Sequence, residues 1–356
     1  MKILLLKFRN IGDVLLITPL ISNLKSYYPE SKIDIAVNVG TEAMLTFNPN
    51  INKVITYERD FVKGLSFFIR LYEEIKFTCQ FRKENYDIVI NLTEGDRGSQ
   101  ITWLSGALVR IGYKNNWFFK DIYTHLLLEQ GFEHTVETNL NPLKKLDIPI
   151  KDKKVEIFWS KDDETHVQKE LNNINDFIHI HPVSRWLFKC IADNTMAQII
   201  DFCELKLGSK VILTASSEKF ELDKVDKILN YCKSKPINLA GKFSLNQIAA
   251  LNNKSKLFIG VDTSIMHISA SNNIPVFAFF GPSGANHWGP WDNDLIESGY
   301  TKINGFQTMG RHRVFAESRR CQPCGQDGCD GTKISNCLME MDIDVIKKNI
   351  MEMYSE

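Results

Sequence analysis

The sequence predicts an α/β protein of two doubly wound, parallel-sheet domains, and three observations carry that prediction. Short β-branched and apolar runs alternate with longer stretches of helical period along the whole chain. Several runs, such as Ile88-Val89-Ile90, are continuously apolar, as strands buried on both faces of a parallel sheet are. The alternation pauses near 141–154 and then starts again. Strands alternating with helices in this way imply ligands at the carboxyl ends of the strands.

The first half offers strands at Lys2–Lys7, Lys32–Val37, Lys53–Tyr57 and Tyr86–Leu92. Helices are expected between them, at Asp13–Tyr28, Thr41–Phe47, Phe61–Lys83 and Ser99–Val109. Thr18-Pro19 falls inside the first, where proline removes a hydrogen bond and should kink it. Asn141-Pro142, Ile148-Pro149 and a run of Lys and Asp then mark a connection. Beyond it, strands are expected at Phe177–His181, Lys210–Thr214, Ile237–Asn238, Leu257–Val261 and Val276–Phe280. Helices follow at Thr195–Lys206, Glu218–Ser234, Ser244–Asn252, Ser264–Ser271 and Ile343–Tyr354. The expected division is 1–160, 161–337 and a terminal helical segment, 338–356, able to fold back on the first domain. Two similar domains facing each other leave a cleft, a common place for a ligand.

A chain of 356 residues suits two domains. Hydrophobic residues make up 44% and charged residues 24%, which is ordinary for a globular protein and argues against extended disorder. The 43 Lys and Arg balance the 43 Asp and Glu, so no nucleic-acid partner is expected. No apolar run approaches the roughly 18 residues that span a bilayer. The start, Met1-Lys2-Ile3-Leu4-Leu5-Leu6-Lys7, reads as a buried strand rather than a signal peptide, because Lys7 interrupts it and no small-residue cleavage site follows. A cytoplasmic location is expected. Eight cysteines there are read as thiols, not as a disulfide framework.

The strongest chemical signal is Leu257-Phe258-Ile259-Gly260-Val261-Asp262-Thr263-Ser264-Ile265-Met266-His267. An apolar strand meets a glycine, and small polar residues open a helix. The unpaired N–H groups of a helix N-terminus bind phosphate well. Gly260 would let the backbone approach a ligand, and Thr263 and Ser264 would add hydroxyls. The alternative is simple helix capping, since Asp, Thr and Ser are preferred N-caps. A second strand end follows at Phe280-Gly281-Pro282-Ser283. At the N-terminus, Asp13 is either a helix cap or a carboxylate at a strand's carboxyl end, suited to general-base work. His179-Ile180-His181-Pro182-Val183-Ser184-Arg185-Trp186-Leu187-Phe188-Lys189 brings a hydroxyl, Ser184, and two cations. Arg185 or Lys189 would neutralise a diphosphate, or be a solvated charge. The two histidines read as structural.

Cys321, Cys324, Cys329 and Cys337 form a C-x2-C-x4-C-x7-C cluster, which fits either a structural zinc or reduced, packed thiols. Neither G-x-G-x-x-G nor G-x-x-x-x-G-K-[ST] occurs, which lowers the weight of dinucleotide oxidoreductases and P-loop NTPases. Asp292-Asn293-Asp294 and Asp342-Ile343-Asp344 read as surface charge.

Taken together, these segments resemble the bacterial lipopolysaccharide heptosyltransferases of glycosyltransferase family 9, over nearly the whole chain. Gly12-Asp13 with Thr18-Pro19, Gly260 to His267, and Phe280-Gly281-Pro282 followed by Trp288-Gly289-Pro290-Trp291 carry the resemblance. His181 to Cys190, with Arg320-Cys321-Gln322-Pro323-Cys324, looks most like the branch that adds the third inner-core heptose, heptosyltransferase III. The resemblance implies a GT-B fold, two Rossmann-like domains across a cleft. It implies an inverting, metal-independent transfer of L-glycero-D-manno-heptose from ADP-heptose to a heptose hydroxyl of the inner core. On that reading Asp13 matches the catalytic base and Lys189 the lysine near the diphosphate. Ser184, Arg185, Asp262, Thr263, Ser264 and His267 line the donor, Glu218 holds the ribose, and Phe243 lies against adenine.

An anionic lipid A–core acceptor asks for cations on the first domain, with Arg59, Lys63, Arg97 and Arg110 as candidates. Contact with the inner membrane would then be peripheral, through that face and apolar residues such as Phe67 and Phe68. Two rival readings stand beside this one: a GT-B transferase with another nucleotide sugar or acceptor, and a non-enzymatic nucleotide-sugar-binding protein.

Overall fold

Leu4, Leu5 and Leu6 have no exposed surface, because the strand that carries them, β1 (Lys2–Lys7), lies between two parallel neighbours and under helices. In the computed structural model, described for residues 1–114, 121–129 and 131–355, β1 organises the first of two units. That unit comprises Met1–Gly131 and Thr135–Phe158; the second comprises Phe132–His134 and Trp159–Glu356. Both are α/β, as the alternating pattern predicts.

Unit 1 adds β2 (Lys32–Asn38), β3 (Lys53–Tyr57), β4 (Ile88–Asn91), β5 (Val109–Tyr113) and β6 (His125–Leu127). Their order is β3-β2-β1-β4-β5-β6, and every pair is parallel. The chain therefore reverses its direction of travel across the sheet beside β1. In open α/β sheets such a switch point leaves a crevice at the carboxyl strand ends. Leu4, Leu6, Ala36, Ile55, Val89 and Ile101 form the core on one face. Each fully buried aliphatic side chain there contributes about 1.5–3 kcal/mol relative to exposure.

Two expected helices are broken. Helices Ile11–Leu15 and Thr18–Tyr27 replace the single kinked Asp13–Tyr28. Pro19 sits in the first turn of the second, where its missing N–H costs nothing, and the Thr18 hydroxyl donates to the Leu15 carbonyl (2.9 Å) across the break. The stretch Phe61–Lys83 becomes Arg59–Gly64 and Phe67–Lys83, separated by extended backbone at Leu65. Thr41–Phe47 tightens to a 3-10 turn at Glu42–Met44. The end of the predicted helix Ser99–Val109 is instead the start of β5, after a left-handed Gly106 stops a helix at Asp96–Ser105.

Unit 2 adds β7 (Phe177–His181), β8 (Lys210–Leu213), β9 (Ile237–Asn238), β10 (Leu257–Val261), β11 (Val276–Phe280), β12 (Gln307–Met309) and β13 (His312–Ala316). The order is β12-β13-β11-β10-β7-β8-β9, parallel throughout except for edge strand β12. Setting β12 aside, this repeats the order of unit 1, with the switch point now between β7 and β10. The terminal helix, Ile343–Ser355, is part of this unit. Ile346, Ile350 and Met353 share one face and join the unit 2 core, and Arg313 donates to the Asn349 carbonyl (3.1 Å). Asp292 is not surface charge: it is buried and accepts from the Arg311 backbone N–H (2.8 Å) and side chain (3.2 Å). Asp342 does stay at a helix start, accepting from the Asp344 N–H (2.9 Å). Among the described residues, no helix is long and apolar enough to cross a membrane.

β1 carries a charge into the core of unit 1. Lys7, at the carboxyl end of β1, is buried, and its ammonium donates to Asn139 Oδ1 (3.1 Å) and the Leu92 carbonyl (3.4 Å). Burial lowers its pKa from 10.5 to about 8; Asp13 and Glu94 pull it back up, and Arg9 pushes it down. Between those two pH values the unfolded chain binds more protons, so native stability should rise with pH. Measured as melting curves from pH 7 to 10.5, wild type should gain on the order of 2–3 kcal/mol relative to Lys7→Met. A gap between the two that does not change with pH would remove this account of Lys7.

Candidate functional site

The switch point of unit 2 collects most of the predicted donor residues. β7 ends at His181 and β10 at Val261, with Gly260 in register with His181. After β7 the chain turns through Ser184 and Arg185 into a 3-10 turn, Leu187–Lys189. After β10 it turns through Asp262 and Thr263 into helix Ser264–Ser271. Neighbouring parallel strands thus deliver a cation and a carboxylate to the same sheet edge. Lys189 Nζ lies 2.6 Å from Asp262 Oδ2, and the Ser283 hydroxyl donates to the same oxygen.

Asp262 is only 7% exposed. Burial drives its pKa up, but the Lys189 charge, the hydrogen bonds from Lys189 and Ser283 and the nearby buried His267 together outweigh it, so the carboxyl lies below its ordinary value. Lys189 keeps about a quarter of its side chain exposed. An ion pair with a buried acid beneath and an open cation above suits an incoming anion.

The helix start departs from simple capping. Thr263 stands at the N-cap with extended backbone, yet its side chain accepts no capping hydrogen bond. Its Oγ1 is buried and has no partner among the described residues. The first N–H groups of a helix have no intrahelical acceptor. They and Ser264, half-buried at the first helical position, remain available beside Lys189. Gly260 has a different role from the one its position suggests. A Cβ there would lie 2.6 Å from the Phe258 ring and 2.9 Å from the His181 carbonyl, so packing requires the glycine.

The remaining donor candidates lie along the carboxyl edge. Ser184 is buried, and its hydroxyl accepts from the Trp186 N–H (3.2 Å). Arg185 is exposed, its guanidinium 5.4 Å from the centre of the Trp186 ring. Glu218 is exposed at the N-cap of helix Lys219–Tyr231. The turn before it is held by a residue that sequence reasoning missed: buried Glu221 accepts from the Ser216 N–H (2.9 Å). Phe243 is half-buried, edge-on to His166 at 5.8 Å. His179 and His181 are structural, as read: both bond the Thr214 hydroxyl (2.7 and 2.9 Å), and burial holds the His181 pKa down at about 3.

The cysteine-rich segment supports both turns of the site. Gln322 donates to the Gly281 carbonyl (3.0 Å), the Gly325 N–H to Pro282 (2.9 Å), and the Ser335 hydroxyl to Phe188 (2.7 Å), next to Lys189. Cys321 and Cys324 are exposed and Cys337 is buried; all eight cysteines are free thiols. Among the described residues, no three or more His, Cys, Asp or Glu come together as a metal group.

In unit 1, Asp13 follows β1 at that sheet's switch point, in the first turn of helix Ile11–Leu15. It is not the N-cap residue; its Oδ2 reaches back to the Asn10 N–H (3.2 Å). Oδ1 has no partner among the described residues, and the side chain is partly exposed. Of the four cations expected to meet an acceptor, two are committed elsewhere. Arg97 binds Glu74 (2.9 Å) and the Tyr57 hydroxyl (2.8 Å) and lies 3.8 Å from the Tyr57 ring centre. Arg110 donates to the carbonyls of Ile122 and Ala107 (both 2.5 Å). Arg59 and Lys63 are exposed, one turn apart.

Comparison with known proteins agrees with the motifs. The family model for glycosyltransferase family 9 (heptosyltransferase) matches residues 75–312. Lipopolysaccharide heptosyltransferase 3 of Escherichia coli K12 is 32% identical over 322 residues, 85% of this chain and 90% of that protein. Among solved structures, the family 9 glycosyl transferase of Veillonella parvula matches with TM-score 0.82 at 20% identity, covering 99% of this chain and 97% of that one. The E. coli heptosyltransferase WaaC, solved with ADP, matches with TM-score 0.74 at 18% identity, covering 99% and 100%. With two thirds of its length inside the family model and a relative above 30% identity, this chain belongs to glycosyltransferase family 9, the heptosyltransferases.

Proposed function

We propose that the protein transfers L-glycero-D-manno-heptose from ADP-heptose to a heptose hydroxyl of the lipopolysaccharide inner core, with inversion at the anomeric carbon. The observation that carries this reading is the seat at the unit 2 switch point: a half-open lysine on a buried aspartate, beside an uncapped helix start. It suits a diphosphate. The family fixes the reaction class, and the heptosyltransferase 3 relative supports the acceptor.

In this mechanism the acceptor oxygen forms a bond to the anomeric carbon while the bond from that carbon to the diphosphate breaks. ADP leaves with the electron pair. Asp13 takes the acceptor's proton, which makes the attacking oxygen more nucleophilic. Lys189 and the N–H groups at Ser264 meet the charge that develops on the departing diphosphate. Thr263 Oγ1 donates to a phosphate oxygen. Glu218 accepts from the ribose hydroxyls and Phe243 packs on adenine, with Ser184 and Arg185 at the diphosphate flank and His267 behind Asp262. Arg59 and Lys63 meet the anionic groups of the acceptor. No metal enters these steps. The enzyme would act on the cytoplasmic face of the inner membrane, in peripheral contact with it.

Three measurements test the reading. Thermal shift with ADP-, UDP- and GDP-sugars should give the largest stabilisation with ADP-heptose; a preference for UDP-sugars would favour another donor. Asp13→Asn should lose on the order of a hundredfold or more in kcat while donor affinity holds; full turnover would dismiss the base. Lys189→Ala should lose about a hundredfold in kcat/KM and also destabilise the fold, because Asp262 is left buried without its cation. Adding Asp262→Asn should restore stability but not turnover. Recovery of both would make Lys189 purely structural.

A further inference from the structure

We infer that the amino-terminal half of helix Phe67–Lys83, with Phe61 on the preceding helix, is a lipid-facing wedge that seats unit 1 on an anionic bilayer. Five of the six residues Phe67–Tyr72 are large and apolar, and all of these are exposed: Phe67 is 72% exposed, Phe68 80% and Tyr72 62%, with Ile69 and Leu71 about half. Phe61 and Ile75 are also more than half exposed. Isolated exposed apolar residues are ordinary, but a contiguous patch of this kind marks a contact surface.

The way the helix is held explains the exposure. Its carboxyl half is anchored: Thr78 and Phe81 are buried, Phe77 packs on the unit 1 core, and Glu74 bonds the Tyr57 hydroxyl (2.6 Å) and Arg97. Its first turns carry no buried residue. At about 100° per residue, Phe67, Leu71, Ile75, Phe68 and Tyr72 fall within roughly 140° of arc. Glu73 and Glu74 lie outside that arc. The exposed side chains therefore form one apolar face rather than a scattered set.

Charge selects the occupant. Arg59, Lys63, Arg70 and Lys76 are exposed around this face. Arg59 and Lys63 have no ion pair among the described residues, and Lys76 pairs only with neighbouring Glu73 at 3.6 Å. An apolar, aromatic-rich face rimmed by cations is the pattern of a helix lying in a lipid interface, its side chains among acyl chains and its cations at anionic headgroups. A protein partner would bury the face without needing that rim. The inference deepens the proposed lipid-linked acceptor, because the same unit carries Asp13.

The test uses the full-length protein and vesicles of phosphatidylethanolamine with or without phosphatidylglycerol. In flotation, wild type should rise with the phosphatidylglycerol vesicles and far less with those lacking it. Phe67→Ser with Phe68→Ser should reduce flotation at least roughly tenfold, with an unchanged melting temperature because both side chains are exposed. ADP release with a soluble core oligosaccharide should be unaffected; loss of that activity in wild type would overturn the proposed reaction and leave the wedge standing. Equal flotation of the variant and wild type would overturn the wedge. So would a wild-type dimer that ignores vesicles and that the variant abolishes, which would make the face a contact between two copies.

Discussion

A buried carboxylate at the end of β10 needs a cation, and the fold of unit 2 supplies it from the next strand. Asp262 is nearly inaccessible, and an uncompensated charge there would cost several kcal/mol. The Lys189 contact at 2.6 Å resolves this, with Ser283 as a second donor. The other features of the site follow from it. The 3-10 turn Leu187–Lys189 has to present the lysine inward, so it is fastened by Ser335 to the Phe188 carbonyl. The Gly281-Pro282-Ser283 turn has to present its hydroxyl, so Gln322 and Gly325 hold it from the other side. The cysteine-rich segment, which in the sequence looks like a metal motif, is the brace for both turns.

Much of this was legible in the sequence because burial leaves a plain trace. The continuously apolar runs became β1, β4, β10 and β11, at the centres of their sheets beside β7. The family motifs fell on their carboxyl ends. What stayed hidden was short or depended on distant partners. β6 and β12 have three residues each, too few for an alternation to register. The helix breaks at Leu16-Ile17 and Leu65-Ser66 lie in stretches whose apolar period continues across them. Glu221 looked like one more charge on an amphipathic helix, and only the fold shows it tied to the Ser216 N–H. Arg97 and Arg110 looked like candidate acceptor cations for the same reason: their partners Glu74 and Ile122 are 23 and 12 residues away. Asp292 looked solvated because Arg311 is 19 residues later.

The residue that sequence reasoning balanced most evenly was Thr263. Helix capping and phosphate binding ask for the same side chain at the same place. Geometry separates them. A capping threonine spends its oxygen on an N–H two or three residues ahead, and Thr263 does not. Its buried Oγ1 has no partner among the described residues, which supports the ligand reading. Gly260 resolves the other way. Its spacing suggests ligand approach, but the Phe258 ring and the His181 carbonyl already occupy the space a side chain would need.

The two units share a strand order and place opposite charges at their switch points. In unit 1 the cation is buried and the acid is accessible: Lys7 lies in the core, held by Asn139, and Asp13 is partly exposed, with one oxygen on the Asn10 N–H. In unit 2 the acid is buried and the cation is accessible: Asp262 lies beneath and Lys189 above. In unit 2 the hidden charge steadies the one that is offered, since opposite charges at short range in a poorly solvated site interact strongly. The proposed reaction has a use for this asymmetry. A proton must leave the acceptor, which asks for an accessible carboxylate, and negative charge must gather on the departing diphosphate, which asks for an accessible cation. On that proposal, one architecture used twice would meet both needs by exchanging which charge is buried.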